Sequence, residues 1–288
     1  MKVAIVGGSG KMGQWFARFL LKEGHQVVII GRHEGKLLEV GQRLGVETAT
    51  NVAAVKQADV ILVSVPIDSF EPVIKQIAPH TRQPQIILDI TSVKVLPVEA
   101  MHKHITAGTV LGTHPVFGPG AKGFAKQNLV LTPTNRRETS LAKKLKCYLE
   151  QRGARVTLMS PQEHDEMMAV VLGLAHFISI VSADVLLSLD RFREMKAIGG
   201  TTYRVLLTLI ESVISEDPEL YASLQMSLPH MGQIQDLFQR QSELWAGLVR
   251  SRDREEFVRR MSALRGRLEE LDPDFGQAYA NMYRLLEG

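Results

Sequence analysis

Three short polar pieces, far apart in the chain, carry residue types that could do chemistry: Ser64-Val65-Pro66, Ser92-Val93-Lys94 and Thr113-His114-Pro115. Each lies at or just beyond the end of a run rich in apolar residues. Histidine is the side chain best matched to proton transfer near neutral pH. His114 is followed by Pro115 and by Gly118-Pro119-Gly120, so a stiffened loop holds it. That suits a group that must meet a reacting atom closely. A fourth piece, Gly8-Ser9-Gly10-Lys11-Met12-Gly13, fits G-x-G-x-x-G. In this pattern the first glycine permits a tight turn, and the second lets backbone N–H groups approach a pyrophosphate at a helix N-terminus. The third lets that helix pack against a sheet. A dinucleotide beside a proton acceptor is the chemistry these pieces would support.

The flanking elements make the glycine motif specific. Lys2 to Gly7 reads as a buried strand, the helix after Gly13 runs through Glu23, and Gln26 to Ile30 is a second apolar strand. The second strand ends in Gly31-Arg32-His33, where a fold that takes NAD usually carries an acid against the ribose 2′-hydroxyl. An acid repels a 2′-phosphate and a guanidinium forks onto one, so Arg32 predicts NADP, with NAD the alternative. Strands and helices continue to alternate: strands over 59–66, 85–93, 110–116, 128–132 and 155–158, and helices over 67–78 and 137–152. The strand ends deliver Ser64, Ser92, Lys94, Thr113 and His114 to one carboxyl edge, where ligands of such sheets bind.

The pattern changes at Ser160-Pro161-Gln162-Glu163, a capping box with proline at the first helical position. Nearly everything beyond it has helical period, with breaks at Gly199-Gly200, Asp217-Pro218, Leu228-Pro229 and Asp272-Pro273, and a second cap at Asp253 with Glu256. The predicted architecture is an α/β Rossmann-type dinucleotide-binding domain over residues 1–160, followed by an all-α domain over residues 161–288. Met167 to Leu187 is too apolar for a surface helix, and a partner subunit would cover it, which predicts a homodimer through the helical domain. Its His176 reads equally as a core histidine or a substrate contact.

Composition narrows the classes. The chain has 288 residues, 23% charged and 45% hydrophobic, with a net charge of +3, which gives no argument for nucleic acid. The lysines and arginines of 137–152 have no interleaved aromatics, so they read as a solvated face. A single cysteine, Cys147, fits a reducing compartment and reads as a core-facing small residue. No signal peptide is expected, because the first residues enter a strand, and no apolar run reads as a membrane span, since His176 and Asp184 interrupt the longest one. A cytoplasmic protein is expected. His33, His80, His102 and His104 read as surface residues and their spacings make no metal set.

With these residues in hand, the sequence resembles the prephenate and arogenate dehydrogenases. The resemblance is carried by GGSGKMG, VSVPID (63–68), LDITSVK (88–94), GTHPVFGPG (112–120), AKQNLVLTP (125–133), EHDEMMAVVLGLAHF (163–177) and YRVLLTLIESVISEDPELYASL (203–224). It implies oxidative decarboxylation of prephenate to 4-hydroxyphenylpyruvate, a step of tyrosine synthesis, with arogenate the alternative substrate. It also implies that His114 hydrogen-bonds and polarises the ring hydroxyl, that Ser92 sits beside it, and that His176 lines the substrate pocket. Where similar members carry an arginine about two turns after the tyrosine-arginine pair, this chain has Ser212, preceded by Glu211. Arg204 is then the nearest candidate for a substrate carboxylate, with Lys94 another and Thr113 beside them. Neither a mutase segment nor a regulatory domain is expected. A β-hydroxyacid dehydrogenase would carry a lysine on the first helix after Ser160, and none stands between Ser160 and Asp190. A binding-only NADP sensor would not need Ser92 and His114.

Overall fold

The computed structural model describes residues 1–287. An eight-stranded sheet organises the first half, in the order β3-β2-β1-β4-β5-β6-β7-β8. Its strands are β1 (Lys2–Val6), β2 (Gln26–Ile30), β3 (Glu47–Ala49), β4 (Val60–Val63), β5 (Ile86–Asp89), β6 (Thr109–Pro115), β7 (Asn128–Thr132) and β8 (Arg155–Leu158). All neighbours run parallel except β6 and β7, which pair antiparallel with His114 opposite Val130. Each strand expected from the sequence is present, with ends trimmed by up to four residues where the chain turns into a loop.

The strands are apolar throughout because both faces are covered. Val3 and Ile5 of β1 join one core, with Ile29 and Leu62. Helices α1 (Lys11–Lys22), α2 (Glu34–Leu44) and α5 (Arg136–Glu150) close it through Trp15, Leu37 and Leu149. The alternating residues Ala4 and Val6 join the other core, against Phe70 of α3 (Ile67–Ile77) and Met101 of α4 (Val95–His104). Strand order reverses between β2 and β4 on either side of β1, which opens a crevice at the carboxyl ends. Cys147 lies exposed on α5, contrary to the core position expected for it. The buried positions of that helix are Glu138, Ala142 and Leu149, and Cys147 is two residues out of their phase. His102 and His104 are also engaged, at 2.6 Å from Glu138 and 2.9 Å from Glu71.

The chain divides into two compact units, Met1–Met168 with Met226–Pro229, and Ala169–Gln225 with His230 onward. The first unit therefore keeps α6 (Pro161–Met168), past the boundary at residue 160 expected from the sequence, because His164, Asp165 and Met168 bury against it. The capping box forms as read: Glu163 N–H donates to Ser160 Oγ at 3.2 Å, and Ser160 N–H donates to the Glu163 carboxylate at 2.8 Å.

The second unit is helical among the described residues: α7 (Ala175–Leu187), α8 (Phe192–Ile198), α9 (Thr201–Ile214), α10 (Pro218–Ser227), α11 (Met231–Ser251), α12 (Arg254–Leu271) and α13 (Ala278–Glu287). Helix α9 packs on α7 and on α13, burying Leu207, Ile210 and Val213. Residues Ala169–Leu174 are wound as a π-helix, so Pro161–Leu187 forms one 27-residue helix. By length and composition it is apolar enough to cross a membrane, contrary to the sequence expectation; His176 and Asp184 do not lower its most apolar window enough to exclude it.

Candidate active site

The glycine loop joins β1 to α1. Gly7, one residue before the motif, adopts φ +82°, and a Cβ there would lie 2.0 Å from the Ser64 carbonyl oxygen. A Cβ on Gly13 would lie 2.7 Å from the Gly7 carbonyl oxygen, so the start of α1 rests directly on the turn. The α1 N-cap is Gly10, with no capping side chain and no acid in the first turn. Its leading amides are thus left to an anion, and Gly8, Ser9, Gly10, Lys11, Met12 and Gly13 fit a pyrophosphate. At the end of β2, Gly31 is half-buried while Arg32 and His33 are exposed, and no residue among those described pairs with the Arg32 guanidinium. Ser64, Val65 and Pro66 follow β4 at the same edge, with Ser64 N–H bonded to the Val6 carbonyl at 2.8 Å.

The polar centre is built from the ends of β5 and β6, the first turn of α4 and the buried face of α6. His114 is 3% exposed. Its Nδ1 lies 2.8 Å from His164 Nε2, and His164 Nδ1 lies 2.7 Å from Asp165 Oδ1. Asp165 Oδ1 also accepts the Lys94 amide at 2.6 Å, and Oδ2 accepts the Val95 amide at 2.9 Å. Asp165 thus accepts on both oxygens at the N-terminus of α4, where the helix dipole favours an anion.

These partners fix the protons. Asp165 is an acceptor, so His164 Nδ1 donates to it. Neutral His164 then has its lone pair at Nε2, so His114 Nδ1 donates to His164. The remaining nitrogen, His114 Nε2, is an acceptor with no partner among the described residues. Burial holds the His114 pKa well below the usual histidine value, the Lys94 ammonium adds to the effect, and a proton on His164 would lower it further. Burial also lowers His164, but its hydrogen bond to Asp165 opposes the shift. His114 is therefore a neutral base near physiological pH.

Lys94 is not a substrate ligand. It is fully buried, and its ammonium is spent on Asp89, on the Thr113 carbonyl at 2.7 Å and on Thr91 Oγ1 at 3.2 Å. Burial pushes the ammonium pKa down and the Asp89 charge pulls it back. Thr113 is withdrawn in the same way: its hydroxyl donates to the Asp89 carbonyl, its amide to Asp89 Oδ2 at 3.3 Å, and its carbonyl accepts from Lys94. Both serve to clamp β5, β6 and α4 together under His114. Ser92 is half-buried in the β5–α4 turn, and its hydroxyl has no partner among the described residues. Sequence reasoning missed His164, Asp165 and Asp89. A lone acid closing the apolar strand 86–89, and two titratable residues beyond the capping glutamate of a short helix, were the available signals.

In the second unit, His176 stacks edge-to-face on Tyr221 with centroids 4.7 Å apart. Its Nδ1 and the Tyr203 hydroxyl are buried without partners among the described residues, a state that calls for a ligand or water. Burial lowers the His176 pKa. Arg204 is exposed on α9, while Ser212 turns its hydroxyl back to the Leu209 carbonyl.

Fold and site together define a nucleotide-binding protein of the Rossmann type, with a buried histidine base at the sheet edge. The nucleotide-binding domain of prephenate dehydrogenase matches residues 16–158, and the prephenate dehydrogenase dimerization domain matches residues 160–263. The chain belongs to the prephenate/arogenate dehydrogenase family. The match begins past the glycine loop, whose reading rests on the geometry above. A probable arogenate/prephenate dehydrogenase of Methanocaldococcus jannaschii is 37% identical over 91% of this chain and 59% of that protein. The T-protein of Haemophilus influenzae is 31% identical over 78% of this chain and 56% of its own length. The chain thus spans well under two thirds of these curated relatives. The fold matches the crystal structure of Aquifex aeolicus prephenate dehydrogenase in complex with hydroxyphenyl propionate and NAD+, at TM-score 0.77, 21% identity, and 94% and 98% coverage of the two chains. Synechocystis arogenate dehydrogenase matches at TM-score 0.71, 21% identity, and 94% and 100% coverage.

Proposed function

We propose that the protein oxidises prephenate to 4-hydroxyphenylpyruvate and carbon dioxide, with NADP as hydride acceptor, in the cytoplasm and as a homodimer. The observation that carries this reading is the unpaired Nε2 of neutral His114 at the carboxyl edge of a dinucleotide fold. The bound cofactor supplies the hydride acceptor. His114 Nε2 takes the proton of the ring 4-hydroxyl while the carbon bearing it gives up its hydride. The C–C bond to the ring carboxylate then breaks, its electron pair completes the aromatic ring, and carbon dioxide leaves. A positioned base of this kind typically contributes ~10²–10⁴ in rate.

Gly8 to Gly13 hold the pyrophosphate, and the exposed fork of Arg32 favours a 2′-phosphate, with Gly31 and His33 beside it and Ser64, Val65 and Pro66 across β1. Ser92 is a second hydroxyl-binding group. His176 and Arg204 take the substrate side chain and a carboxylate. The family's dimerization domain and the exposed Val181 and Val185 of α7 support the homodimer. Arogenate, which carries an ammonium in the same side chain, is the second reading, favoured by Ser212 where an arginine is expected. The test is NADPH formation, followed at the nicotinamide absorbance, with prephenate and arogenate offered separately and NAD beside NADP. Turnover of prephenate with NADP is expected. Turnover of arogenate alone reassigns the side-chain pocket, and silence with both rejects the reading.

A further inference from the structure

We propose that His164 and Asp165 are positioning residues that form a proton relay behind His114: they fix its tautomer, and they hold the proton taken from substrate as a His164 imidazolium against Asp165. This rests on the reading of His114 as the base for a substrate hydroxyl.

The order of hydrogen bonds is one-directional. Asp165 accepts two α4 amides and His164 Nδ1–H; His164 Nε2 accepts His114 Nδ1–H; His114 Nε2 is left open. When the substrate O–H bond breaks, its proton forms a bond to His114 Nε2. The His114 Nδ1–H bond then breaks, and that proton passes to His164 Nε2. His114 ends neutral with its proton on Nε2, and His164 carries the charge. The proton returns by the reverse shift and leaves through His114 Nε2 once product departs. No oxidant or further reactant is needed beyond the hydride acceptor.

The charge rests better on His164 because of what faces each ring. His114, on β6, meets His164 and lies near Lys94, with no carboxylate in hydrogen-bond range among the described residues. His164, on α6, has Asp165 at 2.7 Å. Asp165 is pinned by the first turn of α4 and cannot swing away. Asp89 on β5 and Lys94 at the α4 N-cap, the other charges facing the pair, neutralise each other. Protonating His114 alone leaves a buried cation without a counter-ion; moving the charge one ring inward gives it one.

Two variants of the whole protein separate the parts. His164→Phe keeps a ring of similar shape but offers no acceptor. His164→Gln places an amide oxygen near the Nε2 position, so it can accept from His114 but cannot carry a proton. Long-range ¹⁵N–¹H correlation spectra of histidine-labelled protein read the tautomers without substrate. The wild type is expected to have His114 and His164 both protonated at Nδ1. His164→Phe is expected to move the His114 proton to Nε2, and His164→Gln to keep it at Nδ1. Both variants are expected to lose ~10²-fold or more in kcat with the KM for cofactor unchanged. In the wild type the rate in mixtures of H₂O and D₂O should curve, as two protons move; in His164→Gln it should be linear. Near wild-type turnover in His164→Gln overturns proton storage. A wild-type spectrum with either ring protonated at Nε2 overturns the hydrogen-bond order, whatever the substrate. A wild type silent on both substrates rejects the functional reading and proton transfer with it, while the spectra still decide the tautomers.

Discussion

Lys94→Met is the perturbation on which the roles of this site part most clearly. If Lys94 met a substrate carboxylate, its loss would raise the substrate KM and leave the fold alone. The structure places its ammonium in a fully buried ion pair with Asp89, with two further acceptors at 2.7 and 3.2 Å. Removing the cation strands the Asp89 carboxylate in the core, and breaking a buried pair from one side costs ~3–5 kcal/mol. For a unit of this size each kcal/mol moves the unfolding midpoint by about 2–4 °C, so a fall of ~6–20 °C is expected. Trp15 lies in the aromatic cluster of the first unit. In a Trp245→Phe background, its fluorescence reports that unit, since the chain has only two tryptophans. Asp89→Asn combined with Lys94→Met removes both charges and should recover more than half of the loss, because a neutral pair of similar volume carries no stranded ion. An unchanged midpoint in Lys94→Met together with a raised substrate KM would refute the reasoning, as would a double variant less stable than the single.

Arg32→Ala should lower kcat/KM for NADP by ~10–10², the worth of a charged hydrogen bond, and leave NAD nearly unchanged; equal losses with both would remove Arg32 from the 2′-phosphate. His114, His164 and His176 have folded pKa values below the free histidine value. Below about pH 6.5 the unfolded chain therefore binds protons that the folded chain refuses, and stability falls as pH drops, by up to ~1.4 kcal/mol per pH unit for each group. A midpoint that stays level from pH 7.5 to 5.5 would contradict this, and the His114→Gln/His164→Gln double variant should flatten the slope. Light scattering at micromolar concentration should give twice the chain mass; a monomer would leave the apolar faces of α7 and α9 unexplained.

The sequence by itself determined the frame. Unbroken apolar strands demanded cover on both faces, and the glycine spacing demanded a strand, a turn and a helix start. The capping box at Ser160 and the N-cap at Asp253 formed from residues three apart, since all their geometry is local. His114 was legible because a histidine before Pro115 ends a strand at the ligand edge. Tertiary structure decided what surrounds it. Lys94 and Thr113 lie in the same motifs as the reactive residues, and only the approach of Asp89 turns them inward. His164 and Asp165 sit 50 and 51 positions beyond His114, and no periodicity links them to it. What joins them is the packing of α6 against α4 and β7, which brings a carboxylate to a helix N-terminus and a second imidazole to the first. Local spacing can announce a base, but its tautomer and its charge are set by partners that meet only when distant segments pack, because in a dry interior each donor and acceptor must find its complement there.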